Sequence, residues 1–249
     1  MLKYIARSHP GCIREKNEDC YYVPPVNEPP IFAVADGMGG HVAGEVASSM
    51  AIETLEKSIS VLREKFLRKN QANFRGYIEQ SILKANKNIL DMQLKRPELK
   101  GMGTTFTVAA FFNENKLLTG HVGDSQAYLF NKEGHCQITE DHSVAMELLK
   151  NGEIKPDEIY THPQRNFLTR ALGMTSALKI DFYTTGIAPG DFILLCTDGL
   201  TSMLRPDEIQ EIILQGTDLE TTANELISKA IELGGLDNIT LVLVYYLER

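Results

Sequence analysis

Four aspartates of this chain stand at the boundaries of apolar runs, and three are followed directly by glycine or a near equivalent. They are Asp36 in IFAVADGMGG, Asp124 in LLTGHVGDS, Asp198 in FILLCTDGL, and Asp237 in GGLDNIT just before LVLVYYL. Apolar runs of about four to eight residues read as buried strands. Carboxylates on tight turns at strand ends can be brought to one rim of a sheet structure. Four acids crowded together repel one another unless a cation neutralises them. The pattern therefore points to hard divalent metal ions and to hydrolysis of a phosphate ester. The competing reading is local, because Asp-Gly is also a strong hairpin signal: the type I′ turn needs positive φ. For one pair the turn is the better account. For the set it covers Asp198 tolerably and the others badly. GMGGHVAGEVASSMAIETL after Asp36 turns helical, and Asp237 precedes its strand without joining two.

At 249 residues the chain suits one sizeable domain or two small ones. A 43% hydrophobic fraction is enough for a real core. Lys and Arg total 25 against 33 Asp and Glu, a formal net charge of −8, which argues against nucleic acid as a general partner. The four cysteines form no CxxC pair, and Cys196, inside FILLCTD, reads as a core residue. A reducing intracellular setting follows as the better expectation. The start, MLKYIARSHPG, lacks the apolar segment of a signal peptide, and no run approaches the roughly 18 apolar residues of a membrane span. A soluble protein without membrane association is expected.

No internal repeat or linker divides the chain. LKYIARSHPG reads as a strand and turn, CYYVPPVNEPP as a short strand into a proline-rich loop, and IFAVA as a strand. From about Glu45 the positions Val46, Met50, Leu55 and Ile59 fall near helical spacing, and a second helix runs from about Tyr77 to Lys95 with Ile78, Ile82, Ala85 and Ile89 on one face. GTTFTVAAFF, KLLTGHVG and QAYLFN are strands. HSVAMELLKNGEI is a short helix with Ser143 as N-cap and Gly152 at its end. ALKIDFYTT and DFILLCT are strands joined through Ala188-Pro189-Gly190-Asp191. PDEIQEIILQ and LETTANELISKAIELGG are helices, and TLVLVYYL, apolar on both faces, is the last strand. Strands come in consecutive groups and do not alternate strictly as βαβ, which argues against a doubly wound parallel fold. The expected class is α+β: two antiparallel sheets packed as a central β-sandwich, flanked by helices on both sides.

Carboxylate ligands favour Mn²⁺ or Mg²⁺, and no His or Cys cluster has zinc spacing. Two such ions sharing a carboxylate can activate a water near neutral pH. Asp36 is the natural shared ligand, because Gly37 puts no Cβ in the way of its own carbonyl, with Asp198 and Asp237 completing the site. Arg14, in CIREKNED, is a candidate phosphate fork; equally, it is a surface arginine paired with Glu15, Glu18 or Asp19. Glu18 and Asp19 could orient metal-held waters. GMGGHVAG lacks the Lys-Ser/Thr of a phosphate-binding P-loop and reads as a turn leading into a helix. His41 is a candidate proton donor to the leaving group, and His162 a weaker one, although a lone histidine is more often structural.

Six segments carry a resemblance: Arg14-Glu15-Lys16-Asn17-Glu18-Asp19, Ala35-Asp36-Gly37-Met38-Gly39-Gly40-His41, Met102-Gly103-Thr104-Thr105, Val122-Gly123-Asp124-Ser125, Thr197-Asp198-Gly199-Leu200 and Asp237-Asn238-Ile239-Thr240. In this order, across almost the whole chain, they resemble the metal-dependent protein phosphatases of type 2C in their compact bacterial form. The resemblance implies a single catalytic domain over residues 1–249 that acts on phosphoserine and phosphothreonine proteins. It implies two ions bridged by Asp36, with the Gly37 carbonyl on one and Asp198 and Asp237 on the other. Asp19 would act mainly through water, Arg14 would hold phosphate, and Asp124 with Asp198 would hold a weaker third ion. Residues from about 141 to 170 would form a mobile flap. Gln126 departs from the family's usual arginine, so an ion pair there is lost, and Met38 stands where many eukaryotic members carry a catalytic histidine.

The leading expectation is thus a serine/threonine phosphatase in which water attacks phosphorus directly, opposite a cognate serine/threonine kinase. The alternative is a catalytically silent phosphoprotein-binding regulator of the same fold, and a two-metal nuclease is disfavoured by the acidic charge. A cytoplasmic monomer is the simplest setting, with export into a host cell left open.

Overall fold

The computed structural model describes residues 1–39, 43–67, 74–113 and 115–247. Its strands form two sheets in which every pairing is antiparallel. The first runs, edge to edge, β1 (Leu2–His9), β11 (Ile239–Tyr246), β10 (Phe192–Cys196), β7 (Gln126–Asn131) and β8 (Gly134–Gln137). The second runs β2 (Asp19–Tyr22), β3 (Ile31–Met38), β5 (Phe106–Phe112), β6 (Lys116–Val122) and β9 (Asp181–Gly186), with β4 (Gly103–Thr104) paired to the far end of β3.

The period-two alternation of strand side chains explains why these strands are apolar on both faces. In β3, Phe32 and Val34 point into the core between the sheets, while Ile31, Ala33 and Ala35 point to the helices α1 (Ala43–Leu67) and α2 (Phe74–Lys95). In β11, Val242 and Val244 face the inter-sheet core, while Ile239, Leu241 and Leu243 face the opposite helical layer. That layer contains α5 (Pro206–Gln215) and α6 (Leu219–Glu232). Three cores between four layers result, helix–sheet–sheet–helix, and each fully buried Leu, Ile or Phe contributes about 1.5–3 kcal/mol by leaving water. The expected α+β sandwich is the observed one.

Several local expectations shift. The buried stripe of α1 is Ala43, Ala47, Ala51, Leu55 and Ile59, with Val46 and Met50 only half-buried beside it. Alanine's small side chain lets the helix lie close on β3, and a count of large apolar residues misplaces the face. The α2 face is as expected, with Ile78, Ile82, Ala85 and Ile89 buried. Strand β3 continues through Asp36 and Gly37 to Met38, because β4 supplies it with a partner beyond the apolar run. Strand β8, GHCQ, has no apolar alternation to announce it and is held by its pairing to β7. Helix α3 (Val144–Lys150) has its expected cap: the Ser143 hydroxyl accepts from the Met146 amide at 3.3 Å. A short helix, α4 (Asp198–Thr201), begins at Asp198 itself, so no hairpin turn is built there.

Candidate metal centre

The carboxylates gather where corresponding ends of the two sheets meet. Asp19 and Asp36 are directly opposed on β2 and β3. Asp198 follows β10 and Asp237 precedes β11, and these neighbouring antiparallel strands place both at one end of the other sheet. The seam is bonded: the Thr197 hydroxyl donates to Asp19 Oδ2 at 2.9 Å. Asn238 Oδ1 accepts from the Glu18 amide at 2.8 Å, and its Nδ2 donates to the Pro10 and Lys16 carbonyls. Asp36 is fixed from behind, its amide donating to the Thr105 hydroxyl at 2.9 Å and its carbonyl accepting from Thr104 Oγ1 at 2.8 Å. A Cβ on Gly37 would lie 2.2 Å from the Gly44 carbonyl oxygen and 2.6 Å from that of Glu18. Only glycine lets the start of α1, residue 18 and β3 come together. Gly123, at φ +113°, turns the chain so that Asp124 faces the same cleft.

The cleft has a volume of about 460 Å³ and is lined by Arg14, Glu18, Asp36, Asp124, Asp198 and Asp237, among others. Desolvation raises the carboxyl pKa of Asp19, Asp36, Asp124 and Asp198. Asp19 is pushed up to about 7 and Asp198 to about 6, while Asp36 and Asp124 are pushed well above the usual range. Mutual repulsion adds to it: Asp19 and Asp198 act on Asp36, and Asp237 acts on Asp198. Asp36 and Asp198 keep a water-facing edge, yet protein surrounds them on nearly every side, and that enclosure is what desolvates them. Asp237 Oδ2 accepts from Arg14 Nη2 at 2.7 Å. Among the described residues these contacts leave no three carboxylates in a closed coordination set.

The residues nevertheless suit a hard divalent cation. The donors are carboxylate and carbonyl oxygens. Asp19 is only 7% exposed, and its Oδ1 is a buried acceptor without a donor. Such an orphan costs free energy unless a cation or an ordered water meets it.

Arg14 pairs with Asp237 and not with Glu15, Glu18 or Asp19, so the surface-pair account named the wrong acids. Its side chain is 56% exposed at the mouth of the cleft. Glu18 lines the cleft, and burial raises its pKa. Gln126, in place of the arginine, donates to Asp141 Oδ2 at 2.7 Å, and Gln137 donates to Asp141 Oδ1 at 2.8 Å. A neutral amide therefore takes the missing cation's place, and Asp141 is pushed up to about 7, chiefly by burial. From segment 141–170, Asn166 and Leu168 reach the cleft wall. Arg165 and Asn166 also line an adjoining cavity of about 310 Å³ that shares Asp124 and Asp198. His162 accepts from the Gln164 amide and, among the described residues, lines neither cavity. His41 lies outside the described residues. Sequence reasoning gave no role to Thr105, Thr197, Asn238 or Asp141. Three of these lie inside or beside the six segments, but nothing in a single sequence distinguishes a bracing hydroxyl or amide from an ordinary polar residue.

A profile of the protein phosphatase 2C family matches residues 15–226. The chain belongs to that family. It is 38% identical over 239 residues to the serine/threonine phosphatase stp of Listeria innocua, covering 96% of this chain and 93% of the relative. It is 37% identical over 215 residues to the protein phosphatase PhpP of Streptococcus pneumoniae, covering 86% and 85%. The Mycobacterium tuberculosis serine/threonine phosphatase PstP/Ppp superposes with a TM-score of 0.88 at 34% identity, over 99% of each chain. A structure of the PstP catalytic domain in complex with two manganese ions superposes at 0.85 with 33% identity, again over 99% of each. Membership makes the chain a phosphoprotein phosphatase, and metal-dependent catalysis accords with its carboxylate cleft.

Proposed function

We propose that this chain hydrolyses phosphoserine and phosphothreonine in proteins by direct attack of water on phosphorus, with two Mn²⁺ or Mg²⁺ ions and no phosphoenzyme. The observation that carries the reading is the convergence of four buried or half-buried aspartates on one open cleft, with buried Asp19 paired opposite Asp36 and an exposed arginine at the mouth. When bound, the ions supply an activated water and offset the charge of the phosphate. Asp36, the Gly37 carbonyl, Asp198 and Asp237 would hold the two ions, with Asp36 the ligand common to both. Asp19 would act mainly through water, and its Oδ1, which Thr197 leaves free, is the oxygen placed to accept it. Asp124 and Asp198 would hold a weaker third ion. Arg14 forks onto two phosphate oxygens and orients the ester. His41, outside the described residues, is a candidate proton donor to the leaving oxygen, with a water held by the ions as the other candidate.

In the cell the enzyme acts in the cytoplasm, as a monomer, to reverse a cognate serine/threonine kinase. Among the described residues no helix is long and apolar enough to cross a membrane, in keeping with this setting. The test is phosphate release from a phosphothreonine peptide with Mn²⁺ or with EDTA, beside Asp198→Asn. Release that needs metal and vanishes in the folded mutant is expected. A fully active, folded Asp198→Asn would sink the mechanism.

A further inference from the structure

Asp181, at the start of β9, lies outside the cleft and lines neither cavity, yet it joins both ends of the segment that walls them. Its Oδ2 accepts from His142 Nε2 at 3.0 Å and from Arg170 Nη2 at 3.0 Å. Those two residues sit at opposite ends of segment 141–170. Segment and scaffold are tied at the same place. The Gly123 amide donates to His142 Nδ1 at 3.0 Å, so the ring's proton is on Nε2 and is aimed at Asp181. The His142 amide returns a bond to the Gly123 carbonyl at 2.8 Å, and the Thr169 amide donates to the His142 carbonyl at 2.8 Å. Arg170 Nη1 is buried without a partner, which leaves Asp181 as the acid bonded to this guanidinium among the described residues. Lys179 adds only a distant contact to Asp181, at 3.8 Å.

We propose that Asp181 is a positioning residue for the reaction. Through His142 and Arg170 it clamps both roots of segment 141–170, and so holds Asn166 and Leu168 where an extended phosphoprotein must pass. The catalytic consequence rests on the phosphatase reading, whereas the clamp is a matter of hydrogen bonds alone. A substrate too small to touch the segment is indifferent to the clamp, and a peptide is not.

The experiment uses the full chain and Asp181→Asn, with KM and kcat measured on a phosphothreonine peptide and on p-nitrophenyl phosphate. Hydrogen exchange of the Gly123, Val144 and Thr169 amides is followed in parallel. Expected are faster exchange at these amides and a peptide KM raised about tenfold, the scale of one lost charged contact, with p-nitrophenyl phosphate turnover near wild type. His142→Asn keeps an acceptor for the Gly123 amide and leaves the Asp181–Arg170 pair intact. As the milder change it reproduces the selective loss even if Asp181→Asn folds poorly. Equal losses on both substrates, or unchanged exchange at the three amides, would overturn the proposal. A wild-type chain inactive on both substrates would instead overturn the phosphatase reading, with the exchange data still deciding the clamp.

Discussion

Asp19 has one oxygen bonded by the Thr197 hydroxyl and the other bare, while burial holds its pKa near 7. Arg14 is its opposite, half-exposed and bonded through a single nitrogen to Asp237. A phosphate entering the cleft can take up the guanidinium without backbone movement. Arg14→Ala is therefore expected to raise KM for a phosphopeptide by about tenfold to a hundredfold, with kcat changed less. Steady-state kinetics checks this, and an unchanged KM would leave Arg14 merely as the partner of Asp237. At this scale the acids were legible, because a carboxylate at the edge of an apolar run breaks a pattern. Their braces were not. Thr105 and Asn238 act through bonds to residues 69 and 220 positions away, and no local signal encodes such a bond.

Among the elements, β6 and the segment before α3 bury two imidazoles against each other, His121 and His142, with ring centroids 4.6 Å apart and the rings tilted by 40°. Desolvation lowers His121 to about 3 and His142 to about 4, each helped by a neighbouring cation-forming group, His142 in the first case and Arg170 in the second. Both are neutral in the fold, whereas an unfolded histidine titrates near 6.5. The unfolded chain thus binds more protons below about pH 6.5, and stability contributed by the neutral rings is lost as pH falls toward 4. Against wild type, His121→Gln removes one such proton. Its denaturation free energy should fall less steeply between pH 6 and pH 4, by up to about 1.4 kcal/mol per pH unit. Parallel pH profiles would show that His121 is not neutral in the fold. The helices teach the complementary lesson. Large apolar residues revealed the face of α2, but α1 packs through alanines, and only its contact with β3 identifies them.

For the molecule as a whole, grouped strands with apolar residues on both faces were enough to imply two stacked sheets under helices. What the sequence could not show is how the sheets are set against each other. That relation depends on bonds across the seam, from the Thr197 hydroxyl to Asp19 and from the Glu18 amide to Asn238, and it decides whether the aspartates share a cleft. Because they do, the fold concentrates charge that the chain alone cannot neutralise, and a divalent cation both stabilises the cleft and arms it. Binding must then expel protons from Asp36 and, in part, from Asp19, whose carboxyls burial pushes upward. Calorimetric titration of the metal-free protein with Mn²⁺ at pH 7, in buffers of different ionisation enthalpy, beside Asp36→Asn, tests this most directly. Expected are about two ions per chain with proton release in the wild type, and loss of that binding in the mutant. Binding as tight and as proton-linked in Asp36→Asn as in the wild type, or none in either, would contradict a metal centre built on these aspartates.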